Sequence, residues 1–574
     1  MTTMEMRVPA ATRSVTVRWA LVAAITPLIA GIALWALALG SIDLARADQH
    51  GLLGVLPPAW YLALAVLVGA TAWVTCSARP SPWLLCGYIG AIVLVLYGTI
   101  PAVADVPQYP WTYKHIGVTA LIADQGGIDA GADIYSRWPG FFAAAAAFSQ
   151  LAGLPDPVTW AGWVEPLLMA VNALLVAAIA QTFVRSTRVG ATAALVFVLI
   201  TWVGQSYFAP QAGAMTMGLA LLLVALRCQG RAAIAAVLAL DAAIVVSHQL
   251  TPYGLLAVVG SLALFGFVRP RWIVALLALL PLSFLALNLG FVNQHFTLLT
   301  SLDPLNNLRN AGTYDVAPTA GKQLNAHAGQ LLSLLAWGGA LAGALLLRRA
   351  GQGRRAWALL LITFTPFVVL LGQDYGGEGT LRVILFSAPG CAILIACGIA
   401  TLRRPRVRLA AVTGTTLTFA ALFCGAFFGA TQLNAITPGE VAASKAFYAD
   451  APKGSVLMLA GPGFPLRVGA RYDQFAGPMG DADPNLLTGD RLRARPLGVA
   501  DLPIVIGKMR KYSRSGFLAF SVTMERWAQT FGLTPPGALA SLERAVAASP
   551  QFVLWRATET ARIYRLLVDA NVVH

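Results

Sequence analysis

From residue 18 to residue 430 the chain alternates long apolar stretches with short polar connections. Ala20–Leu39, the first, carries no charge, and most that follow are long enough to cross a hydrocarbon core of about 30 Å. The pattern predicts about thirteen spans. They fall near 18–41, 58–78, 82–103, 160–183, 189–206, 210–227, 232–248, 252–268, 272–292, 328–347, 356–373, 382–402 and 409–430. Phe141–Leu154 is also apolar, but at about 14 residues it is short for a span. It reads as a helix lying on the membrane surface. After residue 430 the pattern changes. Val456–Leu459, Gln551–Trp555 and Arg562–Leu567 read as strands, and Met524–Phe531 and Gly537–Ala548 as helices. The expected fold class is thus an α-helical polytopic membrane protein with a C-terminal extracytoplasmic α/β domain.

Composition agrees with this class. The chain is 57% hydrophobic and 11% charged, too little charge to coat a soluble surface of this size. The net charge of +15 does not point to nucleic acid, because the arginines sit in short clusters between apolar runs. With the N-terminus in the cytoplasm, the inside loops hold Arg79; Arg185 and Arg188; Arg227 and Arg231; Arg269 and Arg271; Arg348, Arg349, Arg354 and Arg355; and Arg403, Arg404, Arg406 and Arg408. The outside loops then hold mostly acids, among them Asp43, Asp105, Asp156, Asp303 and Asp374. Counting Phe141–Leu154 as a span would turn every later arginine cluster outward. The first apolar stretch is too long for a signal-peptide core and reads as an uncleaved helix. The six cysteines lie in or beside apolar runs, without metal-ligand spacing, and read as small apolar fillers. The expected localisation is the plasma (inner) membrane.

Polar residues with possible chemistry gather in three outer connections. The first, within 104–157, opens with Asp105, where the third span leaves the membrane. A carboxylate there is expected to lose hydration and to serve as a base, or to hold a divalent cation such as Mg or Mn. Lys114, His115 and Arg137 are cations able to neutralise a phosphate. Asp124, Asp129, Asp133 and Tyr135 complete the loop, and the alternative for its acids is a solvated surface. The second connection is Ser247-His248-Gln249-Leu250-Thr251-Pro252, with His248 suited to phosphate or a sugar hydroxyl, or simply marking a helix break. The third runs from Gln373 to Arg382 with Asp374 and Glu378. Arg382 opens a span on its outer side, against the positive-inside trend, where it needs a partner such as a lipid phosphate or Glu378. Asp241 and Glu165 are further carboxyls within spans, and Gln205, Tyr207 and Gln211 are polar groups near the outer face.

On Asp105, Tyr135-Ser-Arg-Trp-Pro139, Ser247–Pro252 and Glu378-Gly-Thr-Leu-Arg382, residues 82–430 resemble polytopic glycosyltransferases of the GT-C fold, which use polyprenyl-phosphate sugars. The chain departs from that family in lacking a paired acidic motif at the start of the loop. The resemblance implies three parts: residues 1–80 with two additional helices, a catalytic module over 81–430, and an outer domain over 431–574. It implies a donor phosphate held by Lys114, His115, His248 and Arg382. Tyr135, Arg137, Asp374 and Glu378 would contact substrate. Asp105 would be the base of a single inverting displacement onto a cell-envelope glycan or lipid, and the outer domain, with Lys508–Lys511 and Arg514, would bind that acceptor. The other classes compatible with the sequence are a lipid-linked glycan transporter or flippase, a glycan polymerase or ligase, and a sensor or scaffold.

Overall fold

The computed structural model describes residues 10–78, 80–128, 134–295, 317–371, 379–477 and 483–567. The apolar stretches are helices. The first four are α1 (Ala10–Leu39), α2 (Pro58–Cys76), α3 (Pro82–Tyr97) and α4 (Thr99–Val103). Two shorter ones, α5 (Pro110–Gln125) and α6 (Gly140–Leu151), precede α7 (Val164–Phe183), α8 (Thr187–Ile200) and α9 (Pro210–Arg227). Then come α10 (Arg231–Val245), α11 (Thr251–Leu264), α12 (Ile273–His295) and α13 (Ala320–Arg349). The bundle ends with α14 (Gly353–Phe364), α15 (Gly379–Ala400) and α16 (Pro405–Phe423). Among the described residues eight helices are long and apolar enough to cross a membrane. The chain is a multi-pass membrane protein. The other expected spans fall on shorter helices, so thirteen crossings remains an expectation.

Small residues and buried polar nodes set the packing. α13 and α15 meet backbone to backbone, because a Cβ on Gly343 would strike the Leu394 carbonyl and one on Gly398 would strike Gly343 itself. Close approach through small residues is how helices pack where lipid removes the hydrophobic drive. The first two helices are tied to α4 by one hydroxyl. Thr99 Oγ1 accepts the indole N–H of Trp35 and of Trp60, both at 2.9 Å, and donates to Val95 O. Every lone pair and proton of that buried group is used, which makes burying it tolerable.

The helix connections gather at two ends. At one end Arg188 donates to the carbonyls of Ser77 and Ala78, Arg188 and Arg408 stand beside Cys76, and Arg354 lies over Phe267. This is the arginine-rich end. At the other end lie α5, α6 and the C-terminal domain. α6 is 12 residues long and starts and finishes there: Gly140 N donates to Val246 O, and Gln150 Nε2 reaches Ala123 O. It cannot cross a hydrocarbon core at about 1.5 Å per residue.

Among its described residues the C-terminal domain carries four strands, β1 (Val456–Leu459), β2 (Gly516–Ser521), β3 (Phe552–Ala557) and β4 (Ala561–Leu566), in the order β1-β2-β4-β3. β1 and β2 are parallel, and the other pairs are antiparallel. Four helices pack on them: α17 (Pro438–Asp450), α18 (Leu502–Tyr512), α19 (Val522–Thr530) and α20 (Ala538–Ala548). The join to the bundle is a capping box at Thr437–Glu440. Glu440 is fully buried, and its carboxylate accepts from Thr437 N, Thr437 Oγ1, Thr523 N and Thr523 Oγ1. That carboxylate clamps the linker onto the start of α19.

Candidate functional site

Asp105 follows α4 at the end of the bundle that carries the domain. It lines a cavity of about 100 Å³ together with Glu165, Gln108, Tyr109, Thr112, Tyr207 and Phe208. The expectation that Asp105 is desolvated fails. It is exposed, and makes no hydrogen bond or ion pair among the described residues. The buried carboxyl is Glu165, in the first turn of α7, with its Oε1 lacking a partner among the described residues. Its helical position explains part of its presence, since an N-terminal acid suits the helix dipole. A dipole alone does not require burial without a donor. The site therefore has two carboxyls, one at the rim and one in the wall.

Tyr109 caps α5 with φ at +69°, a left-handed conformation that costs a non-glycine residue of the order of 1–3 kcal/mol. Its N–H is held by Asn434 O at 3.2 Å, and its ring stacks on Tyr207 at 5.0 Å. Burial, then the nearby Glu165 and Tyr207, push its hydroxyl well above the ordinary range. Tyr109 thus stays protonated, a donor beside the acid cavity. Tyr207 also stacks on His115 at 5.8 Å, and His115 meets Tyr135 and Phe142 at 5.2 and 5.6 Å. A row of rings links the two carboxyls to the histidine.

Beyond that row lie His248 and Arg382. His248, in the connection between α10 and α11, accepts at Nδ1 from Thr251 N at 3.2 Å and faces Thr251 Oγ1 at 2.9 Å. Acceptance at Nδ1 puts the proton of the neutral ring on Nε2. Burial, followed by the charges of Arg382 and His115, lowers its pKa to about 3. His248 is therefore a neutral hydrogen-bond donor, not a cation. His115 is the opposite tautomer at Nδ1, donating to Phe208 O at 2.7 Å. Arg382 is buried in the first turn of α15. The structure thus brings His115, His248 and Arg382 together from three connections.

Below this cluster an apolar slot of about 70 Å³ runs between helices. Thr251, Leu255 and Val258 of α11 line it, with Gly218 and Leu222 of α9 and Phe386 of α15. Phe386 stands one turn beyond Arg382 on the same face of α15, and Thr251, which bonds His248, lines the slot as well. A neighbouring cavity of about 10 Å³ is lined by Asn172 and Gln211, whose buried side-chain oxygens and Gln211 Nε2 have no partner among the described residues. That is room for about one water.

Other expected site residues have different employment. Lys114 is 1% exposed, ion-paired to Asp483 at 2.8 Å and seated over Trp111 at 3.4 Å. This pair ties the C-terminal domain to α5. Arg137 stacks over Phe291 at 4.9 Å, and the neighbouring Ile134 and Trp138 pack on Val292 at the end of α12. Tyr135 joins the ring row through His115. Lys508 Nζ donates to Leu486 O and Thr488 O, so this member of the basic stretch pins a loop. Asp129, Asp133, Asp374 and Glu378 lie outside the described residues.

No protein-family model matches the sequence, and no curated protein matches it. Among solved structures the chain is similar to ArnT from Cupriavidus metallidurans bound to undecaprenyl phosphate, with 12% identity and a TM-score of 0.46, covering 83% of this chain and 97% of that one. It is similar also to the apo state of that protein, with 12% identity and a TM-score of 0.45 over the same shares. The likeness lies in the layout of the helices, and no substrate or residue role follows from it.

Proposed function

We propose that the chain is a membrane glycosyltransferase that moves a sugar from a polyprenyl-phosphate donor to an extracytoplasmic glycan or lipid acceptor. One observation carries the reading. An apolar slot between helices leads to a buried arginine and two histidines, which a row of tyrosine rings joins to a cavity lined by two carboxyls. A lipid phosphate needs the first pair of features, and glycosyl transfer to a hydroxyl needs the last. With the arginine-rich end in the cytoplasm, as basic loops require, the site faces outward and the donor enters from the outer leaflet.

The chemistry follows from the side chains. The isoprenoid chain lies in the slot, and its phosphate receives two parallel hydrogen bonds from Arg382 and one from His248 Nε2–H. Asp105 takes the proton of an acceptor hydroxyl. The freed oxygen bonds to the anomeric carbon from the face opposite the phosphate. The carbon–oxygen bond to phosphate breaks, and its electron pair leaves on the lipid phosphate, whose charge Arg382 stabilises. Configuration inverts in this single step. Tyr109 and Glu165 orient the acceptor hydroxyl. A divalent cation is commonly held by one or two carboxylates plus water and substrate phosphate. Asp105 and the unpartnered Glu165 oxygen would suffice to hold one, which would neutralise phosphate charge.

The test uses purified protein in lipid nanodiscs with radiolabelled polyprenyl-phosphate sugars. Arg382→Lys keeps the charge and loses the fork, and Gly218→Leu fills the slot at a position where a Cβ meets only ordinary contacts. Both should weaken donor binding by about 10-fold or more. Unchanged donor binding in both variants would remove the slot and the arginine from the donor site.

A further inference from the structure

The C-terminal domain contains a second cleft, of about 260 Å³, that the transfer chemistry does not use. It opens at the carboxyl ends of the parallel strands β1 and β2, lined there by Ala460, Phe520 and Ser521. Ligands of open α/β sheets bind outside the carboxyl ends of strands. Its lining is amphipathic. Phe520, Met524 and Leu539 form an apolar wall, and Glu525, Arg526 and Glu559 stand among its charged members.

The charges select against an anion. Glu525, Glu543 and Glu559 outnumber Arg526 and Arg562, and Glu543 already holds Arg562 at 3.0 Å. They do not make a metal site either: among the described residues no three carboxylate, histidine or cysteine side chains converge as metal ligands. Glu525 Oε1 accepts from Gln529 Nε2 and Gly537 N, while its Oε2 is buried without a partner among the described residues. The cleft is thus short of donors and long in acceptors. A ligand with an apolar face and an edge of hydroxyl or amino donors matches both properties, and a sugar ring has that form. The volume falls just below the about 300–1,000 Å³ of sites for drug-sized ligands, which suits one ring.

Its place relative to the acid cavity gives it a task. Thr560, in the cleft lining, meets Thr437 Oγ1 at 2.6 Å. Three residues earlier on the same linker, Asn434 O holds Tyr109 N, and Ile436 O accepts from Gln108 Nε2 at 3.2 Å. Three residues of chain reach at most about 10 Å, so a glycan can span both sites. We infer that this cleft binds one sugar ring of the acceptor glycan, neutral or amino-substituted, and holds the chain with its end at the Asp105 cavity. The inference rests on the proposed transferase reading for its task, and on the cleft alone for its ligand.

Ala540 lines the cleft and is exposed, so Ala540→Trp should plug it without disturbing the fold. Full-length protein in nanodiscs is applied to an array of neutral and amino-sugar oligosaccharides, with sulfated and sialylated chains as controls. The wild type should bind a subset of the first group and none of the controls. Glu525→Gln should weaken that binding by about 10- to 100-fold, the cost of one lost charge-assisted hydrogen bond, and Ala540→Trp, which fills the space the ring needs, by at least as much. In transfer assays Ala540→Trp should raise acceptor KM and leave donor binding unchanged. Absence of oligosaccharide binding by the wild type, preference for the anionic controls, or undiminished binding by both variants would overturn the cleft assignment. Array binding lost in the variants of a protein that transfers no sugar would keep the cleft and refute only the transferase reading.

Discussion

Asp105→Asn is the sharpest test of the chemistry. The carboxylate is exposed and makes no hydrogen bond or ion pair among the described residues, so its isosteric neutral replacement should change stability by no more than about 0.5 kcal/mol. Loss of turnover then reports on proton transfer and not on folding. A positioned base contributes about 10²–10⁴ in rate, or about 3–5.5 kcal/mol of barrier. The assay is single-turnover release of radiolabelled sugar from polyprenyl phosphate in nanodiscs, with donor affinity measured separately. Transfer should fall by that factor while donor affinity stays within about threefold of wild type. Glu165→Gln is the control. It replaces a carboxyl whose buried Oε1 has no partner among the described residues, so no hydrogen bond of that oxygen is lost and stability should change little. If Glu165 only orients the acceptor hydroxyl, its variant should lose less than Asp105→Asn does. Normal turnover by Asp105→Asn, with loss in Glu165→Gln, would refute Asp105 as base and move that role into the cavity wall.

Two further outcomes follow from the buried charges. His248 has a pKa lowered to about 3 in the fold, against about 6.5 in an unfolded chain. As pH falls below about 6.5 the unfolded chain takes the proton and the folded one does not, so stability is lost from there down to about pH 3. At pH 5 the loss should be about 2 kcal/mol, read as a steeper fall in Tm between pH 7.5 and 5 than His248→Gln shows. An equal fall in both proteins would mean that the ring titrates normally. Lys114→Met leaves Asp483 without its cation and should cost about 3–5 kcal/mol. Lys114→Met with Asp483→Leu should recover much of it. Limited proteolysis of the C-terminal domain would show the single variant opening and the double variant closed, and equal cleavage of both would exclude the pair as the fastener.

Much of the fold was legible because apolar length and arginine clusters are properties of composition along the chain. The ends of α2 and α9 lie within two residues of the expected spans. The third expected span, 82–103, instead breaks at Gly98 into α3 and α4, and the span over 356–373 gives way to a 3-10 segment from Thr365, beside Pro366. Proline and glycine there mark the breaks, but a hydropathy window averages over them. In the C-terminal domain the expected elements do not include β2, α17 or α18. The sequence of β2, Gly-Phe-Leu-Ala-Phe-Ser, is buried for five of its six residues, so it has no alternation to reveal a strand. The amphipathic face of α18, with Leu502, Val505, Ile506 and Met509 buried, spans only two turns before Lys508, Arg510 and Lys511 break the apolar pattern.

The site was legible as a set of residue types at one end of a bundle, and not as a set of partnerships. Lys114 and His115 are neighbours in sequence, yet on α5 they point to different tasks, one to Asp483 and one to Tyr207. Successive helical residues do not share a face, so two adjacent cations were a weak guide to one phosphate. Glu165 was visible as a carboxyl near a helix end, but its pairing with Asp105 in one cavity depends on the turn through Pro107 and the strained Tyr109. No local pattern announces a left-handed tyrosine. The carboxyl chosen from sequence because a membrane boundary should dry it is the exposed one, and the dry one lies sixty residues later. A single exposed acid is a poor base for a hydroxyl unless something else holds that hydroxyl in place. On the proposed reading the wall supplies it, with a protonated tyrosine donor and a second carboxyl, so the two acids act as one unit whose members the paired variants Asp105→Asn and Glu165→Gln tell apart.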